Sequence, residues 1–274
     1  MMVLLLTWAI LALFAIRWGR KHHFFVLPER ALFSAAPRFI HLLLAFVCMI
    51  GPPVALINLF PAGPLFGVQQ HLEYVLTMQL VSYALSLTGY ALLLYMVGPQ
   101  VRHTIWSVPG AAPLKDNAKQ AGLALVLSLP LVMALQGILD ELIRWLFKLP
   151  ILPDQTAVYL LKNSVNYPLS FIEALIAIII CAPLVEELFF RGFLQSFLRH
   201  YLSSRSAIII TALIFSFFHF SPSQGLSNIP IISALFVLAC FLGMLYEKQR
   251  TLMAPILLHV FFNTFNAIQL YFSE

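Results

Sequence analysis

Long apolar runs, separated by short polar ones, govern this chain. They fall near 1–16, 39–60, 74–97, 121–143, 169–190, 206–220, 227–246 and 252–272. A bilayer core about 30 Å thick needs roughly 20 helical residues to cross it, so each run is read as a membrane helix, the first and sixth being short. The first has no basic segment before it and no small-residue cleavage site after it, and is therefore read as a retained helix. The longest polar stretches, near 17–38, 98–120 and 144–168, read as loops; "SVPGAAPLKDNAK" within the second is rich in turn formers. The pattern predicts an all-α, polytopic membrane helical bundle of about eight transmembrane helices.

Composition strengthens that reading. Apolar residues make up 61% of the chain, charged residues 10%, and the mean hydropathy is +0.91. A soluble domain carries about 25% charged residues, so lipid must cover most of this surface. Basic residues orient the bundle. Arg17, Arg20, Lys21, Arg30 and Arg38 fall in the first loop, Arg102, Lys115 and Lys119 in the third, Arg191, Arg199 and Arg205 in the fifth, and Lys248 and Arg250 in the seventh. Only Lys148 and Lys162 fall in even-numbered loops. The bias places odd loops in the cytoplasm and both termini outside. The expected location is the plasma (inner) membrane of a bacterium, with lipid as a partner. The net charge of +5 lies mainly on those loops and points to no nucleic acid. Cys48, Cys181 and Cys240 are scattered within apolar runs and form neither a disulfide framework nor a C-x-x-C metal site.

The chain changes character near residue 165. Residues 1–150 read as N-terminal transmembrane helices and loops with little intramembrane charge. The candidate chemistry lies in 165–272. An ionisable side chain at membrane depth is costly and is a functional candidate by default. Glu186 and Glu187 in "APLVEELFFRGFLQ", His219 in "FSFFHF" and His259 in "LLHVFFN" qualify. Glu173 lies near a helix end, and Asp140 and Glu141 can pair with Arg144. On a helix Glu187 and Arg191 share a face and can pair; Glu186 points about 100° away. Glu186 and His219 are equidistant from a polar turn at "HYLSSRSA". A hairpin there would set them level, each about 24 Å from its tip at most. The polar residues Arg191, Gln195 and Arg199 suggest that the tip protrudes from the membrane. His259 and Asn263 share a face of the last helix. A lone buried histidine is more often a hydrogen-bonded core residue, but two histidines and a spare carboxylate at compatible depth point to a site. Pro183 predicts a local kink.

The three motifs E-E-x-x-x-R ("EELFFR"), F-x-x-x-H ("FSFFH") and H-x-x-x-N ("HVFFN"), in this order on C-terminal membrane helices, resemble the CAAX-protease and bacteriocin-processing family of intramembrane endopeptidases. That family includes type II CAAX prenyl endopeptidases and bacterial Abi-type proteins. The resemblance covers about 165–272 and makes this segment a CAAX-protease-like catalytic core. It implies that Glu186 with His219 activates water, that His259 and Asn263 stabilise the oxyanion, and that Glu187 and Arg191 are structural supports. The implied partner is a membrane-associated, prenylated or unprenylated, protein or peptide substrate, with the active site open toward the cytoplasm. Two schemes fit these residues. In one, no cofactor is needed and Glu186 is the general base. In the other, Glu186, His219 and His259 hold a single catalytic zinc. The metal-free scheme is the minimal one. H-E-x-x-H, G-x-S-x-G and a deep aspartate pair are all absent, which disfavours other intramembrane protease designs. A non-enzymatic scaffold, immunity factor or proton-coupled transporter is the alternative; transport predicts an internal repeat, and none is evident.

Overall fold

The computed structural model describes residues 2–28, 35–61, 67–108 and 111–272. Arg30 and the C-terminal Glu274 lie outside the described residues. Among those described, the chain is a bundle of helices: α1 (Met2–Lys21), α2 (Phe39–Leu59), α3 (Val68–Met96), α4 (Pro99–Trp106), α5 (Leu114–Phe147), α6 (Thr156–Ser164) and α7 (Pro168–Leu175). A π-helical segment, Ile176–Cys181, leads into α8 (Ala182–Glu187), and a second, Leu188–Gln195, leads into α9 (Ser196–Tyr201). Together these pieces form one continuous rod, Pro168–Tyr201. Helices α10 (Ser204–Phe218), α11 (Asn228–Gln249) and α12 (Met253–Tyr271) complete the bundle.

Among the described residues, seven helices are long and apolar enough to cross a membrane, and α10 is a shorter apolar helix. The predicted eight-run pattern is therefore present, with different ends. Helix α1 runs on to Lys21, α5 covers Leu114–Phe147, and the stretches read as loops contain α4 and α6. Hydropathy registers the solvent around a segment, whereas helicity depends on backbone hydrogen bonds, which continue past the hydrocarbon into polar sequence.

The surface is inverted relative to a soluble protein. Ile57 is 71% exposed and Val3 77%, while Glu187, Arg191 and Gln195 are fully buried. Lipid is as apolar as a leucine side chain, so the interior gains from close packing rather than from removal of apolar surface from water. Small residues supply that closeness: Ala45, Ala174, Ala177, Ala207 and Ala212 are completely buried. Around the rod, Phe190 meets Phe215 edge-to-face at 5.0 Å between ring centroids, a pairing worth about 0.5–1.5 kcal/mol beyond area.

The stripe Arg191–Gln195–Arg199 departs from expectation. It does not face outward at a protruding tip; it faces the interior, against α11. Arg191 Nη2 donates to the Ala239 carbonyl at 3.2 Å, and Gln195 Nε2 to the Gly243 carbonyl at 3.1 Å. Arg199 Nε donates to Glu247 at 3.1 Å. Two charges counted as loop residues thus belong to the core, because a neighbouring helix offers acceptors there and lipid offers none.

The odd-numbered connections gather at one end of the bundle. Lys248, in the last turn of α11, donates to the Phe24 carbonyl beyond α1. Ser107, after α4, bridges to Thr251, and Leu252 N donates to the Trp106 carbonyl at 2.9 Å. Ser204, the first residue of α10, donates to Glu247 at 3.2 Å.

Candidate active site

The site is built where the rod changes its winding. Alpha-helical α8 lies between two π segments, and such segments occur often at functional sites. Within the first, each N–H reaches five residues back: Ala182 N donates to the Ala177 carbonyl. The next bond in that register would run from residue 183 to the Ile178 carbonyl, but Pro183 has no N–H. Asn263 of α12 takes its place, donating Nδ2 to the Ile178 carbonyl at 2.8 Å. This ties the rod to α12 just before the acidic pair.

Glu186 and Glu187 end α8 and diverge. Glu187 is fully buried and receives two hydrogen bonds on one oxygen: from Arg191 Nη1 at 2.8 Å and from His259 Nδ1 at 2.9 Å. Arg191 is held in turn over the Phe215 ring, 4.7 Å from its centroid. Glu186 turns the other way. Its side chain is 21% exposed, and its buried oxygen Oε2 has no hydrogen-bond partner among the described residues. That oxygen lies 3.9 Å from His219 Nε2 and 4.0 Å from His259 Nε2.

The histidine tautomers follow from what each Nδ1 touches. His219 closes α10, and its Nδ1 lies 2.9 Å from the Phe215 carbonyl. A carbonyl only accepts, so Nδ1 carries the proton there. The Glu187 carboxylate imposes the same choice on His259. In their neutral forms both rings therefore turn an unprotonated Nε2 toward Glu186. The separations are too long for direct hydrogen bonds but suit one small bridging molecule.

Glu186, Glu187, Arg191, His219 and His259 are thus brought together by the rod, α10 and α12. Asn263 is anchored one turn beyond His259 with one N–H committed to Ile178. The sequence reading left Glu187 as a support for Arg191 alone and missed its contact with His259. It also missed Tyr246 and Glu247. Tyr246 Oη donates to the Thr104 carbonyl at 2.7 Å and sits 2.7 Å from Ser196 Oγ. Glu247 accepts from Gln195, Arg199 and Ser204. Standing beside Lys248 and Arg250, Glu247 looks in sequence like a surface acid.

All six site residues fall inside one recognisable stretch. Residues 168–265 match the family described as Type II CAAX prenyl endopeptidase Rce1-like. These residues form an Rce1-like domain. No curated protein and no solved structure matches the chain. The Rce1-like domain begins with the rod and ends within α12, so α1–α6 lie outside it. Its convergent polar residues, together with seven apolar helices, make the chain an integral, multi-pass membrane protein.

The zinc alternative would draw on the same atoms. Ligand atoms about 2.1 Å from a tetrahedral ion stand roughly 3.4 Å apart, less than the 3.9 and 4.0 Å between Glu186 Oε2 and the two Nε2 atoms. Among the described residues no group of three or more His, Cys, Asp or Glu side chains is arranged to hold a metal ion.

Proposed function

We propose that the protein is an intramembrane endopeptidase that hydrolyses a peptide bond in a membrane-associated protein or peptide. Membership of residues 168–265 in the Rce1-like family supports protease chemistry at the family level. The carrying observation is the buried Oε2 of Glu186, without a hydrogen-bond partner among the described residues, on a carboxylate that is 21% exposed and faces two imidazoles from separate helices.

The chemistry follows from the donors and acceptors. A water held between Glu186 and His219 Nε2 gives a proton to Glu186. The resulting hydroxide adds to the scissile carbonyl carbon, and its electron pair moves to the carbonyl oxygen. In its protonated form His259 presents Nε2–H to that oxyanion, and Glu187 balances the charge through Nδ1. The second N–H of Asn263 can add to the oxyanion contact. As the carbon–nitrogen bond breaks, Glu186 returns its proton to the leaving amine. Arg191 neutralises Glu187, so the second carboxylate need not compete as a base. Glu187 is therefore a positioning residue for His259 as well as a structural one. Prenylated C-terminal peptides are the first substrates to test. The exposed side of the site faces the cytoplasm of a bacterium in this reading.

The test is proteolysis by the purified protein in detergent against prenylated and unprenylated peptide panels, with metal analysis of the same sample. Activity at a metal content well below one per chain is expected, with a loss of at least about 100-fold in Glu186→Gln at unchanged melting temperature. Glu187→Gln should lower both melting temperature and turnover. An active, stable Glu186→Gln protein, or one tightly held zinc whose removal abolishes activity, would overturn the mechanism.

A further inference from the structure

A cavity of about 560 Å³ opens at the basic end of the bundle, away from the site just described. It is lined by Trp18, His22, His23, Gln120, Lys248 and Gln249, among others. The lining is cationic and hydrogen-bonding around an aromatic wall. Among the described residues no carboxylate lines it. Glu247, next to Lys248 in sequence, faces the other way and is engaged by Arg199. The exposed Arg20 and Lys21 add positive charge in the last turn of α1.

Two features show the cavity to be built rather than incidental. Lys248 is fixed in place: its ammonium donates to the Phe24 carbonyl and lies 4.5 Å from the centroid of the Phe24 ring. The second is the backbone at His23. Helix α1 ends with Phe24 N bonded to the Gly19 carbonyl at 2.8 Å and His23 N to the Arg20 carbonyl at 3.2 Å. This paired C-terminal motif puts His23 in the left-handed region at φ 55°, where glycine is the favoured residue. The chain carries a histidine there, against backbone preference, and that imidazole lines the cavity. The neighbouring His22 ring lies against Trp18, tilted by 32°, at 4.3 Å between centroids.

We propose that this cavity binds the phosphate-bearing headgroup of an anionic phospholipid. Tryptophan belongs at the headgroup level of a membrane, and basic pockets between transmembrane helices suit anionic headgroups. Lys248 supplies the charge, and His22, His23 and Gln120 supply N–H donors. The acyl chains would lie along the apolar, exposed face of α1, where Leu13 and Phe14 are 69% and 66% exposed.

The test uses the full chain in a mild detergent, titrated with phosphatidylglycerol or phosphatidylcholine of matched acyl chains and read by native mass spectrometry. The wild type is expected to retain phosphatidylglycerol preferentially. His23→Gly removes the side chain while easing the left-handed backbone, so its melting temperature should hold or rise while phosphatidylglycerol retention falls about fivefold. Lys248→Gln should give a similar loss; if that variant fails to fold, His23→Gly decides alone. Arg17→Gln, an exposed charge outside the lining, should change little. Equal retention of the two lipids by the wild type would overturn the proposal. So would unchanged retention in a stable His23→Gly protein, or equal losses in Arg17→Gln. Saturation of the cavity by inorganic phosphate alone would reassign it to a soluble anion and overturn the lipid assignment.

Discussion

Asn263 shows how one side chain can repair the backbone of another helix. Pro183 removes the donor that the π register requires, and Asn263 provides it to Ile178. A buried carbonyl left without a donor costs about 1–3 kcal/mol, so Asn263→Ala should destabilise the protein by that amount. In a Pro183→Ala background residue 183 regains its N–H, and the cost of Asn263→Ala should shrink by about 1 kcal/mol or more. A double-mutant cycle in melting experiments measures the difference, and strict additivity would remove the substitution account. Glu186, His219 and His259 were legible in sequence because ionisable groups at membrane depth stand out from their surroundings. The Glu187–His259 contact was not. Helical spacing relates Glu187 to Arg191 within one helix, but nothing in a linear pattern says which distant imidazole meets the far side of that carboxylate.

Between elements, the interior ion pair of Arg199 with Glu247 joins α9 to α11. Both side chains are about 1% exposed. Removing one partner of such a pair strands the other charge and costs about 3–5 kcal/mol. Glu247→Gln should therefore lower the melting temperature strongly, whereas Glu247→Leu combined with Arg199→Met should recover most of the loss. A double variant no more stable than the worse single one would show that the pair matters through its geometry rather than its charge balance. Gly243 is constrained beside it, since an added Cβ would lie 2.9 Å from Gln195 Oε1. The helices themselves were legible, because lipid demands long apolar runs. Their interior contacts were not, because Ala239 and Gly243 accept through main-chain carbonyls and leave no polar residue in the sequence to mark the meeting.

For the whole molecule, the gathering of the odd-numbered connections at one end agrees with eight passes of the chain. Arg191 and Arg199 leave the loop inventory, yet the remaining basic residues still divide heavily toward that end. Reporter fusions at Lys115 and after Phe272 should therefore report opposite sides, with Lys115 cytoplasmic. Fusions reporting the same side would reduce the passes to an odd number and move α10 off the membrane-crossing set.

The three contacts between the rod and α11 share one offset: Arg191 to Ala239, Gln195 to Gly243 and Arg199 to Glu247 are each 48 residues apart. Main-chain carbonyls recur identically at every turn, so the first two contacts would survive a slip of α11 by one turn, about 5.4 Å. Only the carboxylate of Glu247 is unique along that face. It therefore works as an index mark. It fixes which turn of α11 lies against Arg191, and through Arg191 the placement of Glu187 and His259. The alignment of the polar cluster is thus set by a carboxylate that meets the rod at Arg199, about three turns beyond Glu187 and outside the chemistry it governs.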